Sequence, residues 1–178
     1  MKFTVKNEKT KNYLKSFKPF QLVVVATSAG GYAKGFCEPF LALVDTGAMH
    51  TCISREIMDK IIEKVCDSDG NPLQPVDYVD SQGVYGKSHR TPMYIIPNLY
   101  LDKIHLTNVV VIVPDSDNFD CLIGRSILHQ CISTFNPKDD TMCFDFIDDP
   151  KQTLKGLPTF EEVKLFAEFS DDATSEAV

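Results

Sequence analysis

The chain has 178 residues, 43% of them hydrophobic and 24% charged, and its formal net charge is −7 at pH 7. These values exclude an intrinsically disordered chain and fit one globular domain. No apolar run reaches the roughly 20 residues of a transmembrane helix, and no signal-peptide apolar segment follows the first residues. We therefore expect a cytoplasmic protein with no membrane partner.

Lysine is concentrated at the N-terminus, where the first 18 residues carry six lysines and one glutamate. A basic arm on an acidic body binds nucleic acid in some proteins, but more often it folds against the body or stays solvated. We expect no nucleic-acid partner. The chain is accordingly divided into a basic N-terminal arm (residues 1–19), a folded domain (20–148) and a C-terminal helix with an acidic tail (149–178).

The elements predicted next along the chain are mostly short strands. Residues 21–27 are rich in β-branched side chains, and the turn residues 28–31 predict a hairpin into the apolar run 40–44. Ser54 is a good N-cap, and apolar residues at helical spacing after it predict one amphipathic helix. Further β-like runs occupy residues 93–96, 99–101, 108–113 and 142–147. We predict an all-β, barrel-like fold with a few short helices.

The most informative motif is Asp45-Thr46-Gly47-Ala48, which directly follows the apolar run 40–44. A carboxylate at the end of a buried strand loses part of its hydration and needs hydrogen-bond donors in exchange. Thr46 supplies a hydroxyl, and Gly47 lets another backbone approach closely. Alone, the motif also fits an aspartate that caps an ordinary turn.

Two later segments favour a functional interpretation of the D-T-G-A motif. Residues 120–128 place apolar residues before Gly124 and Arg125 and a short amphipathic helix after them, while residues 81–87 form a tip that contains two glycines. The chain resembles the retropepsin-like (retroviral-type) aspartic proteases over about residues 22–146, because it carries D-T-G-A, a glycine-containing tip and apolar-apolar-Gly-Arg in this order. The resemblance implies a closed acid-protease barrel with one lobe per chain, active as a homodimer.

The resemblance also implies the roles of individual residues. Asp45 is the catalytic acid/base, present once per subunit. Its loop is supported by Thr46, Gly47 and Ala48. The flap consists of Gly83, Val84, Tyr85 and Gly86. The substrate pocket and the buttress of the loop consist of Leu122, Ile123 and Gly124, with Ile123 lining the pocket. No metal or cofactor is required.

The need for a second subunit follows from the chemistry as well. Hydrolysis of a peptide by carboxylates takes two of them, one to accept a proton from water and one to donate a proton. The chain has a single D-T-G-A, so the second carboxylate is expected from Asp45 of a second copy. The expected function is an aspartic endopeptidase that cleaves extended, largely apolar peptide segments. The alternative is a non-catalytic dimerisation or peptide-binding module of the same fold.

One position departs from the family pattern. Retroviral enzymes commonly carry an acidic residue, paired with the arginine of the Gly-Arg turn, where this chain has Met49. Arg125 must therefore find another carboxylate or a backbone carbonyl. His50, the next residue, either faces a substrate subsite or is an ordinary exposed loop residue.

The six cysteines predict free thiols. They show no C-x-x-C spacing, and they have no ligand spacing with the four histidines, so we expect neither a disulfide framework nor a zinc site. The cysteines are Cys37, Cys52, Cys66, Cys121, Cys131 and Cys143.

Overall fold

The structure is a computed structural model that describes residues 2–6, 21–82, 88–101, 104–115, 118–136, 138 and 141–146. The predicted flap (83–86) and the C-terminal segment (149–178) lie outside these residues, as does most of the basic arm. In the described part of the chain, no helix is long and apolar enough to cross a membrane.

Short strands dominate the chain, as the sequence predicts. The strands are β1 (Lys2–Lys6), β2 (Gln21–Thr27), β3 (Phe40–Val44), β4 (Cys52–Ile53), β5 (Asp77–Gln82), β6 (Ser88–Leu101), β7 (Ile104–Ile112), β8 (Cys121–Ile123), β9 (Cys131–Asn136) and β10 (Thr141–Phe146). The helices of the described residues are α1 (Arg55–Lys64) and α2 (Arg125–Leu128), and a 3-10 turn spans Tyr32–Lys34. The runs predicted at 93–96 and 99–101 are parts of one strand, β6, because Pro97 breaks the pattern but not the pairing with β7.

The larger sheet closes into a barrel. Its strand order is β2-β3-β8-β4-β7-β6-β5, and β2 also pairs with β6, so β5 alone stays outside the ring. The pairs β3–β8 and β4–β7 are parallel, whereas β2 and β3 form the predicted antiparallel hairpin. The predicted closed barrel is confirmed.

A second, smaller sheet has the order β1-β10-β9. β1 pairs antiparallel with β10, from Lys2 opposite Asp145 to Lys6 opposite Thr141. The start of the basic arm is therefore a strand, which the sequence analysis did not predict because its partner lies more than 130 residues later in the chain. Phe144 and Phe146 of β10 are buried in the core, which joins this sheet to the barrel.

Helix α1 packs on the barrel through one face. Ile57, Met58 and Ile61 are its buried residues, at the helical spacing that the sequence shows. The Ser54 hydroxyl accepts a hydrogen bond from the Ile57 N–H at 3.3 Å, which confirms the predicted N-cap. All six cysteines are free thiols, as predicted.

A buried polar cluster, here called the Ser28 network, joins the β2–β3 connection to strands β6 and β7. The side-chain amide of Asn98 donates to the Ser28 carbonyl at 2.6 Å, and its oxygen accepts from Nε2 of His105 at 2.7 Å. The Ser28 hydroxyl accepts from the Cys66 N–H at 2.9 Å, just beyond α1. The His105 ring stacks on Tyr100 with 4.5 Å between ring centroids. The network thus fixes one end of α1 to the barrel.

Candidate active site

Asp45 lies where β3 ends. The parallel pairing of β3 with β8 reaches Val44 opposite Ile123, and the Asp45 N–H extends it by donating to the Ile123 carbonyl at 3.1 Å. Phe40 and Ala42 of β3 are buried in the core, and the chain emerges at Asp45, which is half-buried. The fold therefore fixes the backbone of Asp45 to a core strand and leaves its carboxylate accessible.

The carboxylate is oriented by backbone amides of its own loop. Oδ1 of Asp45 accepts hydrogen bonds from the Gly47 N–H at 2.8 Å and from the Ala48 N–H at 3.3 Å. Among the described residues, no hydrogen bond joins Asp45 to a second carboxyl group. Thr46 and Gly47 are exposed, so the turn presents one oriented carboxylate at the surface of the single chain.

Residues 45–51 are here called the Asp45 loop. The junction of β8 and α2 holds the later part of this loop. The Arg125 N–H donates to the Ala48 carbonyl at 2.9 Å, and the Ser126 N–H donates to the Met49 carbonyl at 3.1 Å. Between them, a Cβ on Gly124 would lie 2.2 Å from the His50 carbonyl oxygen. Only glycine lets the two backbones approach this closely, so the pairing of D-T-G-A with Gly-Arg in the sequence reflects a direct contact.

Sequence reasoning missed two residues at this junction, Thr51 and Ser126. Thr51 is a fully buried polar residue, and its backbone N–H donates to the Ser126 hydroxyl at 2.9 Å. The Ser126 hydroxyl in turn donates to Oγ1 of Thr51 at 3.0 Å. The only signal in the sequence was a threonine directly before an apolar strand, which is too common to single out.

The predicted pocket residues differ in exposure. Leu122 is half-buried, whereas Ile123 is 1% exposed and belongs to the core. The two residues differ because alternate residues of β8 point to opposite faces, and the role of Ile123 in lining a substrate pocket stays a prediction. Leu122 is the residue of β8 with accessible apolar surface. Gly124 is buried against the loop, as expected of a buttress.

Met49 stands where the family pattern has an acidic residue, so Arg125 of the Gly-Arg turn lacks that partner. Met49 is 64% exposed, and Arg125 is exposed as well. Within the described ranges, Arg125 forms no ion pair with any carboxylate. The predicted alternative acceptor for its guanidinium is thus not found among these residues.

Cys52 lies close to Asp45 but is not a nucleophile. Burial, and secondly the negative charge of Asp45, raise the pKa of the Cys52 thiol to about 11. A thiol with this pKa is protonated at neutral pH, and the thiolate is the reactive form. No cluster of three or more His, Cys, Asp or Glu side chains that could hold a metal ion occurs in the described residues. Asp45 therefore supplies an accessible carboxyl group for acid–base chemistry at this surface.

The predicted flap connects two paired strands. β5 and β6 run antiparallel up to the pair Gln82 and Ser88. Gly83, Val84, Tyr85 and Gly86, which the resemblance assigns to the flap, lie between these two residues and outside the described part of the chain.

Comparisons with known proteins agree with this geometry. A family model described as "Aspartyl protease" matches residues 26–127, which contain β3, the Asp45 loop and α1 and extend into α2. Among solved structures, the chain is similar to a retropepsin-like aspartic protease from Rickettsia conorii, with 14% sequence identity and a TM-score of 0.54 over 82% of this chain and 91% of that chain. No curated protein matches the sequence. Because the family match spans more than half of the chain, the protein belongs to the aspartyl protease family, and its fold is retropepsin-like.

Proposed function

We propose that the protein is an aspartic endopeptidase whose catalytic residue is Asp45. The observation that carries this proposal is the accessible carboxylate at the end of β3, with Oδ1 held by the amides of Gly47 and Ala48. Family membership supports a protease. The protonated thiol of Cys52 argues against a cysteine nucleophile at the same place.

We propose further that the active unit is a homodimer in which Asp45 of each subunit forms half of the catalytic dyad. One carboxylate takes a proton from water while the resulting hydroxide adds to the scissile carbonyl carbon. The other carboxyl group gives its proton to the carbonyl oxygen, and the amine leaves with a proton when the tetrahedral intermediate collapses. Since two adjacent carboxyl groups cannot both ionise cheaply, the pair holds one shared proton.

The proposed substrate is an extended, largely apolar peptide segment. Met49 of the Asp45 loop and Leu122, opposite Leu43 in the sheet, have accessible apolar surface. A strand-like substrate would satisfy its backbone against the loop and the flap, with alternate side chains in pockets. The free thiols fit a reducing compartment such as the cytoplasm.

A peptide-library digest tests the activity. The wild-type chain is expected to cleave, whereas Asp45→Asn should lose about 100-fold or more because general acid–base catalysis of this kind contributes about 10²–10⁴-fold. The matched control is Asp59→Asn, which removes an exposed carboxylate on α1 and should leave turnover unchanged. A chain that binds peptides without cleaving them, equally well with and without the Asp45 substitution, would instead be the non-catalytic module.

Subunit exchange tests the shared dyad. Mixing equal amounts of wild type and Asp45→Asn doubles the total number of dimers. After free exchange of subunits, roughly a quarter of these dimers is fully wild type. Activity should therefore settle near half of its value before mixing. An undiminished activity, with exchange verified by mass-tagged subunits, would mean that each chain works alone.

The dependence of activity on pH offers a further check. A pair of carboxyl groups that works with one proton requires a bell-shaped profile on the acidic to near-neutral side. Activity that rises steadily into the alkaline range would contradict a dyad. Loss of turnover on adding a chelator would indicate a metal instead.

A further inference from the structure

Two hydroxyl groups join the Asp45 loop to the segment that supports it. Thr51 ends the loop, and Ser126 is the second residue of α2, 75 positions later in the chain. Besides its bond with the Ser126 hydroxyl, Oγ1 of Thr51 accepts the Gly124 N–H at 3.3 Å. Thr51 is 0% exposed, so its Oγ1 atom is shielded from water, whereas Ser126 is exposed.

The bonds reach Asp45 through the backbone. The hydroxyl pair fixes Gly124 and Ser126, the two neighbours of Arg125, and the Arg125 N–H donates to the Ala48 carbonyl at 2.9 Å. The Ala48 N–H is one of the donors to Oδ1 of Asp45. The direction of that donor therefore depends on where the β8–α2 junction lies.

We propose that Thr51 and Ser126 are positioning residues for Asp45, acting together as one hydroxyl pair. This inference rests on the proposed protease function. The pair touches neither the carboxylate nor the substrate, and it acts by fixing the Ala48 amide and hence the carboxylate orientation. Loss of an amide donor disfavours the ionised carboxylate, so the acidic limb of the activity profile moves to higher pH.

The experiment compares Thr51→Val, which removes the hydroxyl at nearly constant shape, with Thr51→Ser, which retains it. Thr51→Val and Ser126→Ala should each lower kcat about five- to tenfold, the equivalent of one hydrogen bond, with little change in KM. The double variant should be no worse than the worse single variant, since both remove the same pair. Thr51→Ser should restore kcat to near the wild-type value.

A matched control separates positioning from general stability. Ser28 is also a buried hydroxyl that bonds to backbone groups, those of Cys66 and Lys34, but it belongs to the Ser28 network. Ser28→Ala should lower the thermal midpoint without moving kcat or the acidic limb at a temperature where the variant is folded. If Ser28→Ala lowers kcat as much as Ser126→Ala does, or if Thr51→Ser does not restore it, the inference is wrong.

Two features keep the test decisive. Ser126 is exposed, so Ser126→Ala is expected to fold even if Thr51→Val does not. If the wild-type chain cleaves no peptide, the proposed function fails, and hydrogen exchange at the Gly47 and Ala48 amides then tests positioning by itself. Faster exchange at these amides in Ser126→Ala, but not in Ser28→Ala, would support the pair, and equal exchange would overturn it.

Discussion

The Asp45 loop and the Ser28 network are two polar regions of one barrel, and each contains a titratable side chain. The two side chains differ in solvent exposure and in hydrogen bonding. Asp45 is half-buried, and backbone amides aim at one of its oxygens. His105 is 8% exposed, and its Nδ1 atom has no hydrogen-bond partner among the described residues. The first arrangement keeps a carboxyl group accessible and oriented, whereas the second keeps an imidazole neutral and buried.

The difference assigns the two regions to different tasks. Burial lowers the pKa of His105 from its ordinary value of 6.5, because the imidazolium ion loses hydration in the interior. Such a group stabilises the fold only in its neutral form, as a donor to Asn98. We therefore expect changes at the Asp45 loop to affect turnover first and changes in the Ser28 network to affect stability first.

The largest effect is expected from Gly124→Ala. The backbone of Gly124 has φ −91 and ψ −176, which alanine adopts readily, so space and not conformation forbids the substitution. The added Cβ would lie 2.2 Å from the His50 carbonyl oxygen and must displace the Asp45 loop. We expect about 100-fold lower kcat/KM, as misplacement by about 1 Å can cause, and about 3 kcal/mol lower stability.

Gly70→Ala is the matched control for that substitution. Gly70 has φ +83 and open space around its Cβ position, so alanine there is strained by conformation alone. It should reduce the free energy of unfolding by about 1 kcal/mol and leave kcat/KM unchanged. Equal losses of activity in the two glycine variants would show that the contact at Gly124 has no special link to Asp45.

The next effect is expected from Asn98→Ala. This change removes a buried donor to the Ser28 carbonyl, which keeps the Gly31 N–H at 2.8 Å, and leaves the His105 Nε2–H without its partner. We expect the free energy of unfolding, measured by denaturant titration, to fall by about 2–3 kcal/mol, with kcat unchanged for the folded fraction. Exposed Asn118→Ala serves as the control and should change neither quantity. A fall in kcat without a fall in stability would contradict the separation of the two regions.

A smaller loss is expected from Ser54→Ala at the start of α1, the helix that follows β4 and ends beside the Ser28 network. It removes the hydroxyl that accepts the Ile57 N–H. Loss of an N-cap costs about 1 kcal/mol, which thermal unfolding would detect. Ser54→Asp keeps an acceptor and should remain near the wild type, and an equal loss in both variants would rule out capping as the cause.

The smallest expected signal is a slope of stability against pH. Because the pKa of His105 is lower in the folded chain than its ordinary 6.5, the unfolded chain binds the extra proton first as the pH falls. The contribution of His105 is present above pH 6.5 and is lost below it, down to the lowered pKa. The group stacked on the ring is Tyr100, which is neutral in this range.

His105→Gln should therefore reduce the slope of the free energy of unfolding against pH below pH 6.5. Unfolding measured at several pH values between neutral and mildly acidic, for wild type and His105→Gln, gives the difference directly. The carboxylates contribute equally to both proteins and cancel in the comparison. Parallel curves would mean that His105 does not titrate differently in the folded and unfolded chains.

Much of the barrel was predictable because its signals are local. A run rich in β-branched residues, followed by turn residues, predicted β2 with its observed bounds, and Ser54 with the apolar spacing after it predicted α1. The position of Asp45 after a buried strand, and its dependence on Gly124, also followed from short motifs. These features depend on a few consecutive residues whose chemistry permits few conformations.

Other features required the tertiary structure, since they arise between residues far apart in the chain. Neither the hydroxyl pair of Thr51 and Ser126 nor the pairing of β1 with β10 has a local signal. The sequence also did not indicate which of Leu122 and Ile123 is accessible to solvent, because that depends on which face of β8 packs against the core. The residues of this chain alone determined several of its strands, its capped helix and the chemical group at its candidate site. The packing of distant segments decided the pairing of β1 and how that group is held, because hydrogen bonds across 75 residues exist only once the barrel has closed.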